Sequence, residues 1–113
     1  MTLELRRVIV FTAQLSEMEH FYRNVIGLEV TRREDGWVEF AAGACSLALH
    51  AGPSKVGSRS PKLVFFAADV AGARATLLKQ GLARAGQVKS TAHFDMCDFK
   101  DPDGNRLQVS SRQ

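Results

Sequence analysis

The sequence predicts an α+β protein: two tandem βαβββ modules forming an open eight-stranded barrel-like sheet with the helices outside. Three observations carry that prediction. The run Val8-Ile9-Val10-Phe11-Thr12-Ala13-Gln14-Leu15, apolar and then helical in pattern, recurs 55 residues on as Leu63-Val64-Phe65-Phe66-Ala67-Ala68-Asp69-Val70. Each copy leads into an amphipathic stretch that stops at Gly-Leu, Gly27-Leu28 in one and Gly81-Leu82 in the other. Each half then reads as three further short strands. A repeat of this length marks a paired architecture. A βαβββ unit covers one sheet face with its helix and leaves the other face to curl around a hollow.

The elements follow in order. Residues 3–12, rich in β-branched and apolar side chains, predict a strand. Ser16 with Glu19 three residues later has capping-box spacing, and Met18, Phe21, Tyr22, Val25 and Ile26 recur at helical spacing. Gly27 suits the left-handed C-cap. Residues 28–34 predict the next strand, and Asp35-Gly36 a hairpin turn. Trp37-Val38-Glu39-Phe40 alternates, Gly43 turns, and 45–50 closes the module. The segment 51–61, with two Pro, two Gly and three Ser, reads as a linker between module 1 (about 1–52) and module 2 (about 62–113). Residues 62–67 then predict a strand. Asp69 caps a helix carrying Val70, Ala73, Leu77 and Leu78 up to Gly81. Strands are expected over 82–88 and 93–99. Asp101-Pro102-Asp103-Gly104-Asn105 is a dense turn, with φ > 0 expected at Gly and Asn, and 106–110 is the closing strand.

Composition narrows the function. With 113 residues, 45% apolar and 24% charged, the chain is an ordinary globular domain. Modules of about 50 residues stand near the lower limit for independent cores, so they are expected to depend on each other or on a second chain. No apolar run reaches the roughly 20 residues of a membrane span, and the N-terminus lacks a signal-peptide pattern. No membrane partner is expected, and a cytoplasmic location is. The net charge of +3 is dispersed rather than gathered on one element, so no nucleic-acid partner is expected either. Cys45 and Cys97 stand apart with no CxxC, which argues against a disulfide framework or zinc knuckle.

Two motifs then resemble a known family. Phe21-Tyr22-Arg23-Asn24-Val25-Ile26-Gly27-Leu28 resembles the FYxxxLGL helix end of the glyoxalase, bleomycin-resistance and extradiol-dioxygenase group, the vicinal oxygen chelate superfamily. Asp101 to Asn105, followed by Arg106-Leu107-Gln108-Val109, resembles its DPDGN turn and last strand. The resemblance covers essentially the whole chain and implies the paired βαβββ fold and a homodimer. Many enzymes of the group hold a divalent metal on the first and last strands of each half, where it chelates vicinal substrate oxygens. The corresponding positions here are Arg7, Ala48, Lys62 and Gln108. Two are cations, one has no donor atom, and only Gln108 offers a neutral oxygen. No inherited metal site and no cofactor are therefore expected. The one weaker alternative is a noncanonical metal among His50, Glu39, Asp98 and Gln108.

Side chains alternate across a strand. With Arg7 facing the hollow, the expected ligand-binding set is Arg7, Ile9, Phe11, Trp37, Glu39, His50, Lys62, Val64, Phe66, Met96, Asp98, Arg106 and Gln108. Apolar walls with a few polar points suit a small molecule. Arg7 and Lys62, equivalent by the repeat, could clamp an anion or instead pair with Glu39 and Asp98. The leading expectation is a metal-independent small-molecule-binding protein whose ligand is anionic or partly aromatic. The alternative is a lyase or isomerase using Arg7, Lys62 and a carboxylate base, Glu39 or Asp98, of raised pKa. A ligand-free structural dimer is the third reading. The catalytic residues, if any, are not assigned.

Overall fold

β1 (Arg7–Thr12) begins four residues later than the sequence predicts. Its partner explains the delay: β4 (Cys45–Ala51) runs parallel to it from Arg7↔Ser46 onward, and the first hydrogen bond of the ladder is Ser46 N–H donating to the Arg6 carbonyl. Residues 3–5 pair with no strand among the described residues, and Leu3 and Leu5 stay exposed. The computed structural model describes residues 1–57 and 60–113. Ser58 and Arg59, within the predicted linker, lie outside the described residues.

The chain divides into two units, Met1–Lys55 and Val56–Gln113. In the first, β1 is followed by α1 (Leu15–His20), a π-helical turn (Phe21–Ile26), β2 (Glu29–Glu34), β3 (Trp37–Ala42) and β4. Its sheet has the order β1-β4-β3-β2, with β1 parallel to β4 and the other pairs antiparallel. The second unit holds β5 (Lys62–Phe66), α2 (Val70–Lys79), β6 (Lys89–Ser90), β7 (Asp95–Lys100) and β8 (Arg106–Ser110), in the order β5-β8-β7-β6. The fold is α+β, with two four-stranded mixed sheets, neither closed on itself.

The helix of each unit covers one face of its own sheet. In the first, Met18, Phe21, Tyr22 and Val25 are buried with Val38, Phe40, Leu47 and Leu49, and the Tyr22 and Phe40 rings lie 6.1 Å apart. Burying each such side chain contributes about 1.5–3 kcal/mol. In the second, Val70 and Leu77 of α2 join Leu82, Cys97, Phe99, Leu107 and Val109, while Leu78, expected in the same stripe, is exposed.

Several local expectations are corrected. Ser16 is inside α1, not at its cap; the N-cap is Gln14 and has no side-chain cap bond. Buried Thr12 takes over, its Oγ1 accepting from Gln14 N–H at 3.0 Å, so the chain turns before Ser16 is reached. Gly27 does end the helix left-handed, φ 89°, with Gly27 and Leu28 N–H both donating to the Tyr22 carbonyl. Residues 82–88 form only a single bridge, Ala85 to Phe99, and the short β6 follows them. His93 lies in a turn in front of β7, because Thr91 Oγ1 accepts from His93 and Phe94 N–H. In the last turn only Gly104 has positive φ. Asn105 instead donates from its backbone and its side chain to Asp101, at 2.9 and 2.7 Å.

Candidate functional site

Register decides which residues share a face, because cross-strand partners point the same way. In the first unit Arg7, Ile9 and Phe11 stand opposite Ser46, Ala48 and His50, which in turn stand opposite Ala41, Glu39 and Trp37. This is the face without the helix. In the second unit Lys62, Val64 and Phe66 stand opposite Arg106, Gln108 and Ser110, and these oppose Lys100, Asp98 and Met96. The predicted residues thus form two sets, one on the open face of each sheet. Arg7, Ile9, Phe11, Trp37, Glu39 and His50 make the first; Lys62, Val64, Phe66, Met96, Asp98, Arg106 and Gln108 make the second.

On the first face, Glu39 lies under its donors. Arg7 Nε reaches it across β4 at 3.0 Å, and Trp37 Nε1 donates at 3.3 Å. Ala48, fully buried, occupies the rung between Ile9 and Glu39. Burial pushes the Glu39 carboxyl upward, but hydrogen bonds from Arg7, Ser46 and Trp37 and the Arg7 charge outweigh it and hold it below its ordinary value. Beside this pair the rings of Phe11 and Trp37 flank His50, with centroids 5.2 and 5.7 Å away. His50 Nδ1 lies 2.9 Å from the Ala51 carbonyl. A carbonyl only accepts, so Nδ1 carries the hydrogen and Nε2 is the lone-pair nitrogen of the neutral ring. Ile9 and Phe11 remain 43% and 52% exposed.

The second face repeats the plan with different atoms. Lys62 Nζ donates to Asp98 Oδ1 at 3.1 Å, and Gln108 Nε2 donates to the same oxygen at 2.8 Å. Burial raises Asp98; the Gln108 and Lys62 hydrogen bonds and the charges of Lys62 and Lys89 outweigh it and hold the carboxyl low. Arg106 donates to the Ser60 carbonyl at 3.2 Å. Val64 and Phe66 are exposed, as their counterparts Ile9 and Phe11 are. Lys100 shares this face and was not among the predicted residues, although it stands two positions beyond Asp98 and alternation alone places it there.

The donor set does not fit a transition metal. Arg7 and Lys62 present cationic nitrogens already committed to carboxylates, and Ala48 presents none. Among the described residues no group of three or more His, Cys, Asp and Glu is placed to hold a metal ion. Cys97 is buried, and burial raises its thiol, with Asp98 adding to the rise against the charge and hydrogen bond of Arg74. It is a poor nucleophile.

A family model for the glyoxalase/bleomycin resistance protein/dioxygenase superfamily matches residues 4–109. The chain belongs to this superfamily. No protein of curated function matches it in sequence. Among solved structures, SMU.1112c is similar with a TM-score of 0.83 at 21% identity, covering 96% of this chain and 98% of that one. TnmS3, an antibiotic binding protein from Streptomyces sp. CB03234, gives 0.80 at 23%, covering 96% and 94%. A lactoylglutathione lyase from Agrobacterium tumefaciens gives 0.76 at 20%, covering 95% and 92%. At these identities the likeness is one of fold. Among the described residues no helix is long and apolar enough to cross a membrane.

Proposed function

We propose that this superfamily member is a metal-independent small-molecule-binding protein whose ligand, anionic or partly aromatic, is held on the helix-free sheet faces. The observation that carries the proposal is the aromatic corner of exposed Phe11 and His50 and half-buried Trp37, beside the Arg7–Glu39 pair with its buried carboxylate. Large apolar side chains left open on a strand face mark a binding surface, and a few fixed polar groups beside them give orientation. The antibiotic-binding neighbour of the same fold supports the reading.

The lyase or isomerase alternative needs a carboxylate poised as a base. Glu39 and Asp98 are both held low by their donors, which suits fixed counter-charges better than proton acceptors near neutral pH. The proposal extends to a cytoplasmic homodimer, with exposed Leu3 and Leu5 as apolar surface for a second copy.

Trp37 is the only tryptophan, so its fluorescence reports on the first face alone. Titration with a panel of aromatic carboxylates and polycyclic phenols is expected to quench it saturably, and Phe11→Ala is expected to weaken the response about tenfold. Elemental analysis is expected to find no stoichiometric metal. About one Zn or Ni per chain, or no response to any compound, overturns the proposal.

A further inference from the structure

In formal charge, the open faces of the two sheets differ at one rung. In the first unit the rung through β1, β4 and β3 reads Arg7, Ser46, Ala41, a single cation. The equivalent rung through β5, β8 and β7 reads Lys62, Arg106, Lys100. Three cations stand in direct register on adjacent strands. Neighbouring strands lie about 4.8 Å apart, so the row spans roughly 10 Å. Like charges directly opposite one another are unfavourable in a sheet.

Among the described residues of these four strands, Asp98 is the one carboxylate on this face, and it already serves Lys62 and Gln108. Lys89, opposite Met96, adds a fourth cation to the same face. Among the described residues the hydrogen-bond partner of Arg106 is neutral, the Ser60 carbonyl. Ser60 also carries a buried hydroxyl with no hydrogen-bond partner among the described residues. In the adjoining turn Asp101 accepts at both carboxylate oxygens, from Asp103 N–H, Asn105 N–H and the Asn105 amide.

We infer that the Lys62–Arg106–Lys100 row is an oxyanion site selective for a phosphate-type dianion. The row carries three positive charges against one shared carboxylate, so a dianion balances it and a monocarboxylate does not. A guanidinium beside two ammonium groups matches a tetrahedral oxyanion, with Arg106 able to give paired N–H donors and the lysines acting as point charges. The row belongs to the second unit and shares no residue with the aromatic corner of the first.

The test is calorimetric titration of the full chain with inorganic phosphate, phenyl phosphate and acetate, at constant ionic strength in a buffer free of other oxyanions. Phosphate and phenyl phosphate are expected to bind at least tenfold more tightly than acetate. Arg106→Gln is expected to weaken phosphate tenfold or more, and exposed Lys100→Gln about fivefold. Lys79→Gln, on α2, is expected to leave binding unchanged. Phosphate binding no tighter than acetate overturns the inference, as does equal binding by Lys100→Gln and the unaltered chain. Failure here leaves the Trp37 response untouched, so the two readings fail separately.

Discussion

Arg7 is held between Glu39 and Trp37: its Nε donates to Glu39 Oε2 at 3.0 Å, and its Cζ lies 5.9 Å from the indole centroid. The bridge passes over β4 at Ala48, the rung where a larger side chain would meet it. Lys62 and Asp98 make the equivalent bridge across β8, with Gln108 in place of Ala48. The repeat has therefore kept a cation on the first strand and a carboxylate on the third of each sheet. The residue between them has changed in kind, from an apolar alanine to a hydrogen-bonding glutamine.

The Arg7–Glu39 pair is expected to be coupled energetically. Glu39 is buried while Arg7 is partly exposed, so removing Arg7 leaves a buried carboxylate with two remaining donors, Ser46 and Trp37. Arg7→Met, which keeps the aliphatic stem, should cost about 1–3 kcal/mol. Glu39→Gln should cost less, and the double variant less than the sum. Urea unfolding of the four proteins measures the coupling. Strict additivity would show that the pair contributes nothing beyond its separate residues.

The correction at the start of α1 is testable in the same way. Thr12→Val preserves the buried shape but removes the acceptor for Gln14 N–H. It should cost about 1–2 kcal/mol. Ser16→Ala, at an exposed position inside the helix, should change stability by less than about 0.5 kcal/mol. If the two costs were reversed, the helix would start at Ser16 after all.

These outcomes bear on what could be read in advance. Alternation placed Arg7, Ile9 and Phe11 on one face because a strand with a buried side has no freedom to slip by one residue. Capping was less legible: Ser16 and Glu19 have the right spacing, but Thr12 competes for the chain four residues earlier, and its claim depends on its burial. The displaced β6 has a similar cause. Residues 82–88 are apolar enough for a strand, yet Leu82 is used in the core and Gly86 donates to the Asp98 carbonyl, leaving one bridge. Lys100 was legible by parity. Its meaning became visible only when register set it beside Arg106 and Lys62.

Gly27 is expected to tolerate substitution poorly for a backbone reason alone. A Cβ there meets nothing within 4 Å, but φ is 89°. Gly27→Ala should therefore cost about 1–2 kcal/mol, the penalty of the left-handed region for an L side chain. Thermal unfolding checks it. Gly27→Asn should recover part of the loss, since Asn visits that region more readily.

Acid should destabilise the chain through both bridges. Glu39 and Asp98 each have a folded pKa held below the ordinary values of 4.5 and 3.8. A carboxyl with a depressed folded pKa binds fewer protons folded than unfolded, so it stabilises the fold above its unfolded pKa and loses that contribution as pH falls through the folded value. Stability should thus be flat from pH 7 to about 5 and fall below about pH 4.5. Urea midpoints across that range measure the slope. Glu39→Gln should flatten the acid limb more than Asp98→Asn, because Glu39 is the more deeply buried of the two and Asp98, with a side chain 43% exposed, is better screened by water. An acid limb identical in both variants and the unaltered chain would show that other carboxylates carry the titration.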